Sequence, residues 1–413
     1  MKVLFLASYF PKPENTVMGT WALSQAQALV RQGVDLQVIS FTSALPQWIA
    51  RTPGAKAYAN CPDRYRWPGA VDTYYPRWLY YPIKPFKQAA YAHPQPYLQM
   101  AWRSAKKKLI QAIGKYKPDV IFCHHSLPNG WIGAQVLNSL NQQIPLFVLD
   151  HDYDEIADCH QYPQRRAAMQ TVAQQANLLA VSHRMEKDMQ QLFPEAATMT
   201  LHNGISLPPA ALKAHPRPAE VAQKKVILTC ALFVERKGIP LLIEAFHQIR
   251  VRHPDAVLRI IGEGPEAANI KQTVERLNAQ AQVQLLGKLS HDEVLQEMSW
   301  ADCFALVGWN EPFATVYLEA MAAGKPILCC DDGGINDVIR ANVHGYVVPP
   351  HQVDKTAQAL DRLLSNDAER TQMGHNARQL IEQTLTWDAK AAELIEQFEQ
   401  ACRALHSPVH IPA

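Results

Sequence analysis

The sequence predicts an α/β protein made of two doubly wound, Rossmann-like domains in tandem. Short apolar runs alternate with amphipathic segments, a proline-rich break interrupts them near mid-chain, and the same alternation then restarts. Strand, helix, strand in that rhythm gives a parallel sheet covered by helices on both faces. The length, 413 residues, also exceeds what one hydrophobic core normally serves.

In the first half the expected strands are Val3–Ala7, Leu36–Ile39, Val120–Phe122, Leu146–Leu149 and Leu178–Val181. The opening run is short and ends in prolines, so it reads as a buried strand rather than a signal segment. Thr20–Gly33 places Leu23, Ala26, Leu29 and Val30 on one helical face, with Gly33 as the helix stop. Ser43–Gln99 is rich in Pro, Tyr and Trp without periodicity; it is expected to be a packed excursion rather than an acceptor-binding insertion. Trp102–Lys117 reads as a helix with Trp102, Ala105, Leu109, Ile113 and Tyr116 inward and Lys106, Lys107 and Lys108 outward. That basic face is an ordinary solvated surface or a dock for anionic membrane.

Four prolines between Pro208 and Pro218 mark the break. Beyond it the expected strands are Val226–Leu228, Val257–Ile261, Val283–Leu286, Cys303–Val307, Ile327–Cys330 and Tyr346–Val348, and the chain closes on an amphipathic helix from about Ala389 to Leu405. The expected organisation is 1–205, a linker at 206–224, 225–385, and a terminal helix in 386–413 that crosses back to the first domain.

Hydrophobic residues make up 48% and charged residues 19%, which excludes disorder, and a net charge of +2 gives no global sign of a nucleic-acid binder. The eight cysteines show no CxxC pair and no zinc spacing, so they read as free thiols in a reducing compartment, the cytoplasm. No stretch approaches the apolar length that spans a bilayer.

The segment "EPFATVYLEA" holds two carboxylates, Glu311 and Glu319, eight residues apart with small or apolar residues between. Both follow an expected strand, on the side where ligands bind in such folds. "LFVERKG" puts Arg236 and Lys237 at a helix entry, suited to a diphosphate. "GEGPE" (Gly262–Glu266) and Gly333–Gly334 supply glycines for close backbone approach and an anion nest.

In this order and spacing the chain resembles the retaining glycosyltransferases of the large family 4 type (group 1), whose donor domain reads G-R-L-x-x-x-K-G, G-x-G-P-E, E-x7-E and G-G. Further matching pieces are "DVIFCHHSLPNG", "LDHDYD", "AVSHRMEKDM", "LHNGI" and "HGYVV". The resemblance implies the GT-B fold: two Rossmann-like domains facing across a cleft, the C-terminal one holding a nucleoside diphosphate sugar, UDP- or GDP-linked, as co-substrate. It implies no other cofactor and no metal. It implies sugar transfer with retention of anomeric configuration to a glycan or lipid-linked acceptor in polysaccharide or glycoconjugate biosynthesis; if the basic face of Trp102–Lys117 docks on lipid, the contact is peripheral, at the inner membrane face.

Carried over residue by residue, Glu319 accepts from ribose hydroxyls, Glu311 contacts the donor sugar and Lys237 neutralises the diphosphate. Gly19 lets backbone amides approach the phosphates, and His151 sits beside the reacting sugar. The resemblance extends donor binding to Arg236, Glu263, Leu286, Phe313, Ala314 and Thr315, and acceptor binding to His124, His125 and Asp154. Departures are Leu232 for the family's arginine, Pro312 and Ala314 for two glycines, His202 for a proline and Asp337 for a glutamate. Arg236 is the available substitute for the missing arginine.

A metal-dependent reading has only Asp152-Tyr153-Asp154 in its favour, far in sequence from the donor motifs. No G-x-S-x-G elbow supports a hydrolase. A nucleotide-sugar epimerase on the same fold and a non-catalytic sugar-nucleotide binder remain alternatives.

Overall fold

The computed structural model describes residues 1–80, 86–140, 142–208 and 216–406. The chain divides into two compact units, Met1–His202 with Trp387–Ala413, and Asn203–Thr386.

In unit 1 the strands are β1 (Lys2–Leu6), β2 (Asp35–Ile39), β3 (Thr42–Ser43), β4 (Arg64–Trp67), β5 (Val71–Tyr74), β6 (Arg77–Trp78), β7 (Val120–His124), β8 (Leu146–Asp150), β9 (Ala176–Ala180) and β10 (Thr198–Thr200). Among the described residues, eight of them form one sheet in the order β10-β9-β8-β7-β1-β2-β5-β4, and β3 pairs with β6. Only β4 runs antiparallel, against β5. The helices are α1 (Thr20–Arg31), α2 (Pro53–Ala59), α3 (Phe86–Ala92), α4 (Gln95–Tyr116), α5 (Trp131–Leu140), α6 (Tyr153–Ala157), α7 (Pro163–Ala173) and α8 (His183–Leu192). β7 and β8 are buried along their whole length, as strands covered on both faces must be.

The aperiodic Ser43–Gln99 segment extends this sheet through β4 and β5. Its aromatics pack: Phe41 stacks on Trp78 at 4.8 Å, and Tyr75 links the Trp67 indole (2.9 Å) to the Pro11 carbonyl (2.7 Å). β4 escapes the periodicity test because three of its four residues are exposed, and β5 because it is only four residues long. Part of this segment, residues 81–85, lies outside the described residues. α4 buries Leu98, Ala101, Trp102, Ala105, Leu109 and Ile113, while Lys106, Lys107 and Lys108 are exposed.

In unit 2 the strands are β11 (Lys225–Cys230), β12 (Ala256–Ile261), β13 (Val283–Gly287), β14 (Cys303–Ala305), β15 (Ile327–Cys330) and β16 (Gly345–Val348), in the parallel order β13-β12-β11-β14-β15-β16. The helices are α9 (Ile239–Ile249), α10 (Ala267–Arg276), α11 (His291–Trp300), α12 (Thr315–Ala322), α13 (Val353–Ser365) and α14 (Asp367–Thr384). The run Cys303–Val307 yields a strand only to Ala305; Leu306 and Val307 stay buried but open the site loop.

The division at His202–Asn203 precedes the expected linker. Ile205 already donates its amide to the Leu385 carbonyl (2.9 Å), which ties it into unit 2. Most of the proline-rich stretch, 209–215, lies outside the described residues. The last helix, α15 (Trp387–His406), belongs to unit 1: Phe398 packs on Phe147 (4.9 Å) and Phe122 (5.7 Å), and Asp388 pairs with Arg31 at 2.7 Å. Among the described residues none of the eight cysteines forms a disulfide; Cys230 and Cys402 are half-buried and the others buried.

Candidate active site

In unit 2 the site residues gather at the carboxyl ends of β11 and β14. After β11 the chain makes a tight turn, Glu235–Lys237, and Gly238 (φ 64°) starts α9. A Cβ on Gly238 would stand 2.5 Å from the Val307 carbonyl oxygen, so only glycine lets these two loops touch. The Trp309 amide then donates to the Arg236 carbonyl at 2.9 Å. The contact brings Glu311 between two cations: Oε1 accepts from Arg236 Nη1 at 2.8 Å and Oε2 from Lys237 Nζ at 2.7 Å.

The Glu311 side chain is only 3% exposed, Lys237 14% and Arg236 41%. Burial pulls the Lys237 ammonium below its ordinary value, and the attraction of Glu311 offsets only part of that. Glu311 thus organises the two cations, with the remaining lone pairs of its carboxylate left for a further donor.

Glu319 lies on α12 with its side chain 15% exposed, and Oε1 meets His291 Nε2 at 3.2 Å. Cys230, at the end of β11, senses both Glu319 and Lys237: burial and then the Glu319 charge push its thiol up to about 12, against Lys237. Three of the sequence-predicted residues, Lys237, Arg236 and Glu311, are therefore in direct contact, and Glu319 is close at hand. Phe313 is buried, Ala314 caps α12, and Thr315 is its first residue. Leu286 is half-buried in β13, and Glu263 pairs with Lys288 at 2.6 Å in the open.

Two glycine pairs also serve the protein's own backbone. Gly262 (φ 147°) and Gly264 (φ 154°) face protein backbone, since a Cβ there would lie 1.9 Å from the Ala231 oxygen and 2.5 Å from the Phe233 oxygen. They let one loop cross another, and no ligand is needed to explain them. In the Gly333–Gly334 pair, the Gly334 amide donates to the Glu311 carbonyl (2.9 Å) and so supports the acid's loop. Gly19 behaves similarly in unit 1: its φ is 75°, and a Cβ would stand 2.3 Å from the Tyr9 oxygen.

In unit 1 a second cluster forms at the ends of β7 and β8, where His124 and Asp150 are the last strand residues. His124 has the acceptor role by resemblance, but its ring is fully buried. Nε2 donates to Gln25 Oε1 at 2.7 Å, and Phe5 lies edge-on at 4.7 Å. Burial first, then the neighbouring His151 and His125, hold it well below its ordinary value, which favours the neutral ring. His151 packs against His124 (4.5 Å), His125 (5.4 Å) and Trp21 (6.0 Å).

Asp154, the sequence-predicted acceptor acid, is exposed, and its backbone oxygen takes the Tyr91 hydroxyl. The residue after it turns inward instead: Glu155 Oε2 lies 3.5 Å from His125 Nδ1 and 3.7 Å from Arg165. The short helix α6 causes the swap, because successive residues on a helix point about 100° apart. Asp150 is fully buried and takes both the amide and hydroxyl of Ser126 at 2.6 Å. Burial and the charge of Glu155 raise it to about 6, against the Ser126 hydrogen bonds. No sequence spacing announces Gln25, Ser126, Asp150, Glu155 or Arg165, whose partners come from other elements. His125, Asp152 and Glu155 bring potential ligand atoms within 4.8 Å of one another, and His125 Nδ1 and Glu155 Oε2 already face each other at 3.5 Å.

The family described as Glycosyltransferase Family 4 matches residues 18–207, and that described as Glycosyl transferases group 1 matches 212–380. The chain belongs to the group 1, family 4 type of glycosyltransferase. It is 25% identical over 421 residues to the putative teichuronic acid biosynthesis glycosyltransferase TuaC of Bacillus subtilis, covering 97% of this chain and 98% of that one. Sucrose-phosphate synthase from Thermosynechococcus elongatus shares the fold (TM-score 0.76, 20% identity, 98% of this chain and 100% of that one). So does Anabaena HepE, solved in complex with UDP (TM-score 0.72, 18% identity, 97% and 100%). This glycosyltransferase therefore has the two-domain GT-B fold. Among its described residues no helix is long and apolar enough to cross a membrane.

Proposed function

We propose that this glycosyltransferase binds a nucleoside diphosphate sugar on unit 2 and transfers the sugar, with retention and without a metal, to a glycan or lipid-linked acceptor. The observation that carries the donor reading is the Arg236–Glu311–Lys237 cluster at the strand ends, with Glu319 on the adjoining helix. Two cations suit a diphosphate, and a carboxylate on the next helix suits a ribose diol. UDP sugars are the first to test, since HepE was solved with UDP.

Retention by double displacement needs a carboxylate free to attack, paired with an acid about 5–5.5 Å away. Glu311 is engaged by two cations and Glu319 by His291, so neither is poised as a nucleophile. Front-face substitution is the mechanism proposed, with the leaving diphosphate taking the acceptor's proton and Lys237 and Arg236 stabilising its charge. A thermal-shift panel of UDP, GDP and other nucleoside diphosphates tests the donor, and the NMR spectrum of the product sets the stereochemistry. Turnover is expected to survive EDTA and to keep the donor's anomeric configuration; an inverted product, or activity restored only by Mn²⁺, overturns the mechanism.

A further inference from the structure

We infer that Glu155, braced by Arg165, is a positioning residue that fixes the orientation and charge of His125 beside His151, so that the His125 ring presents an N–H to a substrate oxygen. The inference rests on the reading that His125 faces the acceptor. Four features of unit 1 carry it.

First, the pair is enclosed: the His125 side chain is 4% exposed and Glu155 19%, with Nδ1 and Oε2 3.5 Å apart. A pair so far from water keeps its charge only if both members are held in place. Second, the brace is built. Arg165, itself 4% exposed, lies 3.7 Å from the same Oε2, donates Nε to the Glu155 backbone oxygen at 3.1 Å, and stacks over Tyr91 at 4.0 Å. Third, His125 has φ 66°, a conformation that costs a non-glycine residue energy and that persists where surroundings impose it. Its amide is pinned to the Leu149 oxygen (2.8 Å) and its oxygen to the Gly130 amide (3.0 Å), which aims the ring across the end of β8.

Fourth, His125 Nε2 is buried with no hydrogen-bond partner among the described residues. A buried donor left unpaired is expensive, more so when charged, and a substrate oxygen would satisfy it. Burial alone would lower His125; Glu155, with Asp150 and Asp152, outweighs it and lifts the ring to about 9. The other groups facing it are Tyr9 in the loop after β1, His124 on β7 and His151 after β8, while Lys87 on α3 bears on Glu155.

The test uses the full chain labelled in its histidine rings, with His125→Asn to assign the signal. His125 is expected to titrate near 9, and in Glu155→Gln to fall toward the ordinary imidazole value. Release of UDP from UDP-glucose, with water as acceptor, is expected to lose activity above the same pH, with that limb shifted down in Glu155→Gln. An ordinary His125 titration in the wild type, or an unshifted limb in the variant, overturns the inference. Should Glu155→Gln not fold, the wild-type titration still decides. Failure of the donor assignment would appear as an unaltered UDP affinity in Glu319→Ala, which leaves the imidazole titration untouched.

Discussion

The two clusters occupy the same topological place in their units, the carboxyl ends of parallel strands, and solve it in opposite ways. In unit 1 the groups are sealed: His124 and Asp150 are fully buried, His124 Nε2 is held by Gln25 and Asp150 by Ser126. In unit 2 they are half-open: Arg236 stays 41% exposed, and the geometry comes from backbone crossings at Gly238, Gly262 and Gly264. A sealed cluster holds protonation states away from their ordinary values. A half-open one keeps charges available for a ligand that brings its own.

The sharpest way to break this comparison is Glu311→Ala. It leaves Lys237 and Arg236 facing each other without their acid; about 3 kcal/mol of unfolding free energy should go, the low end for breaking a buried pair, because Arg236 reaches solvent. Denaturant unfolding measures it. A loss under about 0.5 kcal/mol would mean that the pair is solvated like a surface bridge.

Glu319→Ala comes next. Losing a charge-assisted hydrogen bond worth roughly 1.5–3 kcal/mol should weaken nucleoside diphosphate binding about ten- to a hundredfold, read by calorimetry. Unchanged affinity would place the ribose elsewhere.

The His291–Glu319 contact gives a smaller, pH-dependent effect. The Glu319 hydrogen bond, opposed by burial, raises His291 above its ordinary value. The stabilisation is therefore fully present below the unfolded value of about 6.5 and fades as pH rises through the elevated one. Melting temperatures of wild type and His291→Ala should differ at pH 5.5 and converge at alkaline pH. With the imidazole 67% exposed, the gap will be modest; equal curves at every pH would dismiss the contact.

The smallest effect expected is on membrane docking by the exposed lysines of α4. Changing Lys106, Lys107 and Lys108 to Glu should lower salt-sensitive co-sedimentation with anionic liposomes. Identical pelleting would show that this face is merely solvated.

Much of the fold was legible because parallel strands buried on both faces must be apolar throughout. Val120–Phe122 and Ile327–Cys330 announce themselves for that reason. β10 did not, since its three residues are only half-buried, and neither did the edge pair β4–β5. The residues proposed for the donor were legible because glycines, cations and carboxylates follow there in a short linear order on adjoining loops. What the sequence by itself determined is thus local: strand and helix periodicity, and the spacing of Glu311 and Glu319. Only the tertiary structure decided that Glu311 clasps Arg236 and Lys237, that Glu155 rather than Asp154 turns inward, and that the glycines serve backbone crossings. Those outcomes depend on partners 74 residues away for Lys237, and on Gln25 meeting His124 across 99. Charge and hydrogen-bonding capacity are written in each residue, but the burial that sets their strength exists only once distant elements pack.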